Sequence, residues 1–205
     1  MNERLELFEN WASNYDPAND VAEFPFAGYD AVLDGMVALT KSNKGARVLE
    51  LGVGTGNFAA RFSAAGYEVW GLDFSREMLT RAREKLPTAH LLQADVLTNL
   101  PAELPEDFAV IASAYVLHEF PLASKVDILI RGADHLAEGG VVIVGDIAFE
   151  TVEARDQARQ RYKDAWDDAE HYWAVDEAAA TLDDAGFAVR YMQVSVCAGI
   201  FALTW

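Results

Sequence analysis

The run VLELGVGTGNF, residues 48–58, constrains the chain more than any other segment: an apolar stretch of strand character ends in three glycines at alternate positions, Gly52, Gly54 and Gly56. Glycine has no Cβ and adopts positive φ freely, so alternate glycines let a backbone turn sharply and approach a bound group closely. A bare tight turn and a nucleotide-holding loop both answer to that pattern. The downstream residues favour the second. NFAARFSAAG reads as a helix, EVWGLD as a strand, SREMLTRAREKL as a helix and HLLQAD as a strand, the β-α-β rhythm of a parallel sheet.

Ser75 stands just before the helix that succeeds EVWGLD, with Glu77 in its first turn, and is expected to cap it. Beyond the proline-marked loop NLPAELPED come the strand FAVIASAYVL, a helix near Ser124 to Leu136, the turn AEGG and the strand VVIVGD. Residues 150–173 place Ala158, Tyr162, Trp166, Ala169 and Trp173 at helical spacing, which predicts a long amphipathic cover helix. A helix near Val175 to Ala185 then leads to FAVRYMQVSV and AGIFALTW, read as an antiparallel pair at one edge. Upstream, Leu7, Phe8, Trp11, Ala12 and Tyr15 suggest a capping helix, and Gly28 to Thr40 a second. The expected fold is therefore α/β, doubly wound and Rossmann-like. It has a seven-stranded, mostly parallel sheet, an antiparallel C-terminal edge hairpin, and cover helices at the N-terminus and after strand five. One domain is expected over residues 1–205, divided into cap helices (1–44), a cofactor-binding core (45–149) and a cover with the C-terminal strands (150–205).

Charge limits the partners. Sixteen Lys and Arg stand against thirty-three Asp and Glu, a formal charge of -17 that repels nucleic acid and anionic membrane faces. No run of about 18 apolar residues suggests a membrane span, and the opening MNERLELFENW lacks the apolar core of a secretory signal. With Cys197 as the single cysteine, a cytoplasmic protein is the default expectation. The four histidines show no metal-site spacing, so no metal is expected.

Ligands of doubly wound sheets lie beyond the carboxyl ends of the strands, where strand order reverses. Asp73, seventeen residues after Gly56, and Asp95 come at the ends of the second and third strands and are expected to converge on the glycine loop. A carboxylate at Asp73 suits the paired hydroxyls of a ribose. Two details separate a sulfonium donor from a dinucleotide. The loop is GxGxG, and Asn57 stands where the dinucleotide fingerprint GxGxxG has its third glycine. Glu50, two residues before the first glycine, burdens a site for phosphates but suits an ammonium and a sulfonium. As a buried strand acid it has a structural reading as well.

Together ELGVGTG, GLDFS, QAD and SAYVLHEF resemble class I S-adenosylmethionine-dependent methyltransferases. FENWASNYD, GDIAFE, the pair His171 and Tyr172, and GFAVRYMQ are similar to a group of small, functionally uncharacterised bacterial methyltransferases, so the resemblance spans nearly the whole chain. It implies S-adenosylmethionine as cofactor. Gly52 and its neighbours would lie against the methionine end, Asp73 would hold the ribose, Asp95 would receive the adenine amino group, and Phe74 and Val96 would sandwich the ring. Ser113, Ala114 and Tyr15 would also face the cofactor. One departure is Ala109, where the family commonly has the aspartate of an FDxI pattern.

Methyl transfer by in-line displacement needs a base only when the acceptor must first lose a proton. His118 is the candidate base, with packing as its alternative. Tyr115, Asp146, His171 and Tyr172 are candidates for a pocket that takes a small-molecule acceptor. A non-catalytic sensor of the same cofactor and a nicotinamide oxidoreductase are the competing functions.

Overall fold

The computed structural model describes residues 23–40 and 44–205. The expected N-terminal helix and Tyr15 lie outside them. Helix α1 (Tyr29–Leu39) is followed by β1 (Arg47–Leu51), α2 (Asn57–Ala64), β2 (Glu68–Asp73), α3 (Arg76–Lys85) and β3 (His90–Gln93). The chain then crosses back to β4 (Phe108–Ala114), a single 3-10 turn (Leu117–Glu119), α4 (Leu122–Ala133) and β5 (Leu136–Phe149). It ends with α5 (Val152–Arg161), β6 (Trp173–Ala174), α6 (Val175–Asp184), β7 (Ala188–Gln193) and β8 (Ala198–Thr204).

The main path of the sheet runs β3-β2-β1-β4-β5-β8-β7. The pairs β1–β2, β2–β3, β1–β4 and β4–β5 are parallel, and β8 is antiparallel to both β5 and β7. Strand order reverses between β1 and β4, so the loops after these two strands splay apart and leave a crevice. β1 is buried on both faces. Val48 belongs to the apolar layer under α1 and α2, while Leu49 and Leu51 belong to the layer under α4 and α6. Glu50 shares the parity of Val48 and points to the first face, where a carboxylate is expensive unless a partner waits.

The doubly wound, mostly parallel architecture stands, with two differences in detail. An eighth strand, β6, pairs with the end of β5. The last two strands form the expected antiparallel pair at one edge, with β8 next to β5 and β7 outermost. The turn AEGG lies inside β5, where the register slips between Phe108↔Leu136 and Val110↔Val141, so its four residues form a bulge. Ser75 caps α3 as expected, its hydroxyl accepting from the Met78 amide at 3.3 Å. The long cover helix is a correction. Helix ends at Arg161, and Trp173 lies in β6. The segment 162–172 turns back over the sheet, and its Tyr162 and Trp166 stack on Phe24 at 4.9 and 5.4 Å.

Candidate active site

The three glycines of the loop all have positive φ, +80° at Gly52, +52° at Gly54 and +85° at Gly56. Their reasons differ. A Cβ on Gly52 would meet Val116 Cγ2 at 2.5 Å, and one on Gly56 would meet Leu86 Cδ1 at 2.9 Å. A Cβ on Gly54 would meet nothing within 4 Å. The outer glycines are therefore demanded by the protein's own packing, whereas the middle one borders open space. The amides of Gly52 and Val53 both donate to the Leu72 carbonyl, at 2.9 and 2.7 Å, and pin the loop to the end of β2.

Asp73 joins the loop from the other side. Its Oδ2 accepts from the Gly54 amide at 2.9 Å and its Oδ1 from the Ser75 amide at 2.8 Å. Those bonds hold the carboxylate at the carboxyl end of β2, facing the crevice. Glu50 is only 3% exposed, and its Oε2 has no hydrogen-bond partner among the described residues. Burial, and after it the charge of Asp73, push the Glu50 carboxyl well above the usual carboxylate range, against one backbone bond from Ala59.

A cavity opens between these groups. Of the residues expected there, Glu50, Gly52, Gly54, Asp73, Phe74, Val96, Ala114 and Tyr115 line it. Gly56, Asp95 and Ser113 do not. Gly56 sits beneath, at the start of α2. Asp95 turns its Oδ1 to the Leu97 amide at 3.0 Å, although Ala94 and Val96 on either side of it reach the cavity. Ser113 is buried and donates to the Leu51 carbonyl at 3.1 Å, fastening β4 to β1.

Tyr29, Met78, Val116 and Glu119 line the cavity without having been singled out in the sequence. Tyr29 opens a helix that sequence assigns only to scaffolding, and Glu119 stands in the shadow of His118. Tyr115 has φ +53°, a strained conformation for a bulky side chain, and its amide donates to the Gly145 carbonyl at 2.9 Å. Its ring meets Tyr29 at 4.9 Å and Phe26 at 5.9 Å, giving the crevice an aromatic wall on the β4 side.

His118, Asp146, His171 and Tyr172 come together, but away from the cavity. Asp146 is fully buried and accepts four bonds: from His118 Nδ1 at 2.5 Å, the His118 amide at 2.9 Å, Trp173 Nε1 at 3.0 Å and the Ile147 amide at 2.8 Å. It is committed to structure rather than pointed at the crevice. His118 is 8% exposed, with Nε2 3.7 Å from Glu170. Burial opposes its positive form, but Asp146, Glu170 and Glu119 outweigh that, and its pKa rises to about 8. Burial likewise opposes the charged Asp146, yet His118 and Lys125 hold its carboxyl below the usual range. His171 is exposed on a separate outer groove, and Tyr172 is buried edge-on against Trp166 at 4.5 Å. His118 turns Nδ1 to Asp146 and does not line the cavity.

Residues 48–140 match the family described as methyltransferase domain. An uncharacterised methyltransferase of Geobacillus kaustophilus is 34% identical over 203 residues, covering 93% of this chain and 92% of its own. The uncharacterised methyltransferase YrrT of Bacillus subtilis is 32% identical over 203 residues with the same coverage. Among solved structures, a DhpI-SAM-HEP complex shares the fold with a TM-score of 0.75 at 19% identity, over 98% of this chain and 95% of that one. Magnesium protoporphyrin IX methyltransferase from Synechocystis, with bound SAH, does so with a TM-score of 0.69 at 16% identity, over 98% and 99%. The fold is Rossmann-like, and this chain belongs to the methyltransferase family of these relatives.

Proposed function

We propose that the chain methylates a small-molecule acceptor at the crevice between the glycine loop and the aromatic wall of Tyr29 and Tyr115. One observation carries the reading. Glu50, a buried carboxylate with an unpartnered oxygen, opens onto the cavity beside Gly54, where the protein has left room for a ligand. A cationic group resolves that arrangement, and an anionic one aggravates it. S-adenosylmethionine, when bound, supplies a methyl carbon already activated on a sulfonium. The chain's own work is then binding, alignment and exclusion of water. In this reading Glu50 faces the positive end of the cofactor, the Gly54 backbone lies against it, Asp73 accepts from the ribose hydroxyls, and Phe74 and Val96 flank the base.

The formal charge of -17 and the aromatic wall favour a neutral or cationic acceptor over nucleic acid. Among the described residues no helix is long and apolar enough to cross a membrane, and a cytoplasmic metabolite is the acceptor class we favour. Calorimetry with S-adenosylmethionine and S-adenosylhomocysteine, followed by transfer of labelled methyl into the small-molecule fraction of a bacterial extract, tests the reading. Binding together with a labelled metabolite supports it. Binding without label in any small molecule overturns it in favour of a sensor, and label in nucleic acid or protein overturns the acceptor class.

A further inference from the structure

The His118–Asp146 pair does not line the cavity, yet His118 belongs to the 115–119 turn, three of whose residues do. Tyr115, Val116 and Glu119 point into the crevice, and His118 points away from it to Asp146. The turn is thus gripped from behind. The same pair also grips the strap of residues 170–173, each of which is tied to the core. Glu170 faces His118 Nε2. The His171 amide donates to the His118 carbonyl at 2.6 Å, and its own carbonyl accepts from Lys125 Nζ. The Tyr172 carbonyl accepts from Arg155 Nη1 at 3.2 Å, and Trp173 Nε1 donates to Asp146.

The strap passes that order on to the crevice. Tyr172 meets Phe24 edge-on at 5.8 Å, and Phe26, two residues further along, packs against Tyr29 and Tyr115. Two routes therefore run from Asp146 to the aromatic wall, one through the turn and one through the strap. A misplacement of about 1 Å at such a wall costs on the order of 100-fold in rate when catalysis rests on alignment.

We propose that His118 and Asp146 are positioning residues for methyl transfer: by clasping the 170–173 strap to the 115–119 turn, they fix the aromatic wall against which the acceptor is aligned. This rests on the small-molecule reading of the crevice. The charged groups around His118 are Asp146 from β5, Glu170 from the strap and Glu119 from its own turn, with Lys125 of α4 beside Asp146. Arg155 and Glu177 lie beyond Lys125.

The test compares full-length wild type with His118→Asn, which keeps a donor toward Asp146 but loses Glu170, with His118→Ala, and with Trp173→Phe, which keeps the ring but loses its N–H. Labelled methyl transfer into the small-molecule fraction of a bacterial extract is measured from about pH 6 to 9, a range that brackets the histidine's titration, with S-adenosylhomocysteine affinity in parallel. We expect affinity within about twofold of wild type in all three, while transfer falls about 10- to 100-fold in His118→Ala and less in the two conservative variants. Wild-type transfer should decline as pH rises through about 8, and His118→Asn should lose that limb. Unchanged transfer in His118→Ala overturns the proposal. So does parallel loss of affinity, transfer and melting temperature in the conservative variants. A wild type that binds S-adenosylhomocysteine but labels no small molecule overturns the underlying reading instead, and the proposal with it.

Discussion

The two sides of the crevice are built by different means. On the β1–β2 side, backbone does the shaping: three glycines at positive φ, two amides on one carbonyl, and a carboxylate held by two more amides. On the β4–β5 side, side chains do it, through a strained tyrosine, tilted and edge-on aromatic rings and a buried acid–base pair. Backbone shaping tolerates little variation, because a single Cβ in the wrong place collides. Side-chain shaping can be re-cut while the sheet stays the same.

The sharpest way to break the contrast is within the glycine loop itself. Gly52→Ala should destabilise the fold by about 2–5 kcal/mol, the sum of left-handed strain and overpacking against Val116. Denaturant unfolding measures it, and a loss below about 1 kcal/mol would show that Val116 simply moves aside. Asp73→Ala should weaken S-adenosylhomocysteine binding by about 1–3 kcal/mol in a variant that still folds, read by calorimetry. Unchanged affinity would remove the ribose role.

The opposite side responds to pH. The pKa of His118 is raised from 6.5 to about 8 on folding, so its contribution is complete below pH 6.5 and is lost as pH rises through 8. The loss amounts to about 2 kcal/mol. Lys125 runs the other way: burial lowers its pKa from 10.5 to about 8, so stability returns as pH climbs from 8 toward 10.5. Unfolding free energies across this range should dip near pH 8 in wild type, and His118→Asn should flatten the acid side of the dip.

Gly54→Ala tests the smaller difference between the glycines. It should cost only about 1–2 kcal/mol of stability, from its φ alone, yet impair cofactor binding in proportion to how closely the ligand approaches. Glu50 gives the subtlest signal. A cation entering beside a carboxyl whose pKa is raised by burial should drive off a fraction of a proton, seen as a binding enthalpy that varies with buffer, and Glu50→Gln should abolish the variation.

The β1–β2 side was also the legible one. Glycine spacing, the acid at Glu50 and the strand-end Asp73 are local signals, carried within a few residues of a strand whose period is plain. Even there, the reason for Gly52 is invisible in sequence, because Val116 is a distant contact. The other side resisted for the same cause. His118 and Asp146 are 28 residues apart and meet only through the β4–β5 pairing. The stripe Ala158, Tyr162, Trp166 and Trp173 has helical spacing, yet its last members are drawn off the helix to Phe24 and Asp146. A two-residue strand such as β6 leaves no pattern at all.

The place of β8 bears on how such a sheet is assembled during translation. β7 emerges from the ribosome before β8, but in the sheet β8 lies between it and β5. Until residues 198–204 arrive, β7 has no neighbour and the β5 flank is bare, a sticky edge offered to other nascent chains. Loss of residues 198–204 therefore forfeits two strands of the sheet at once.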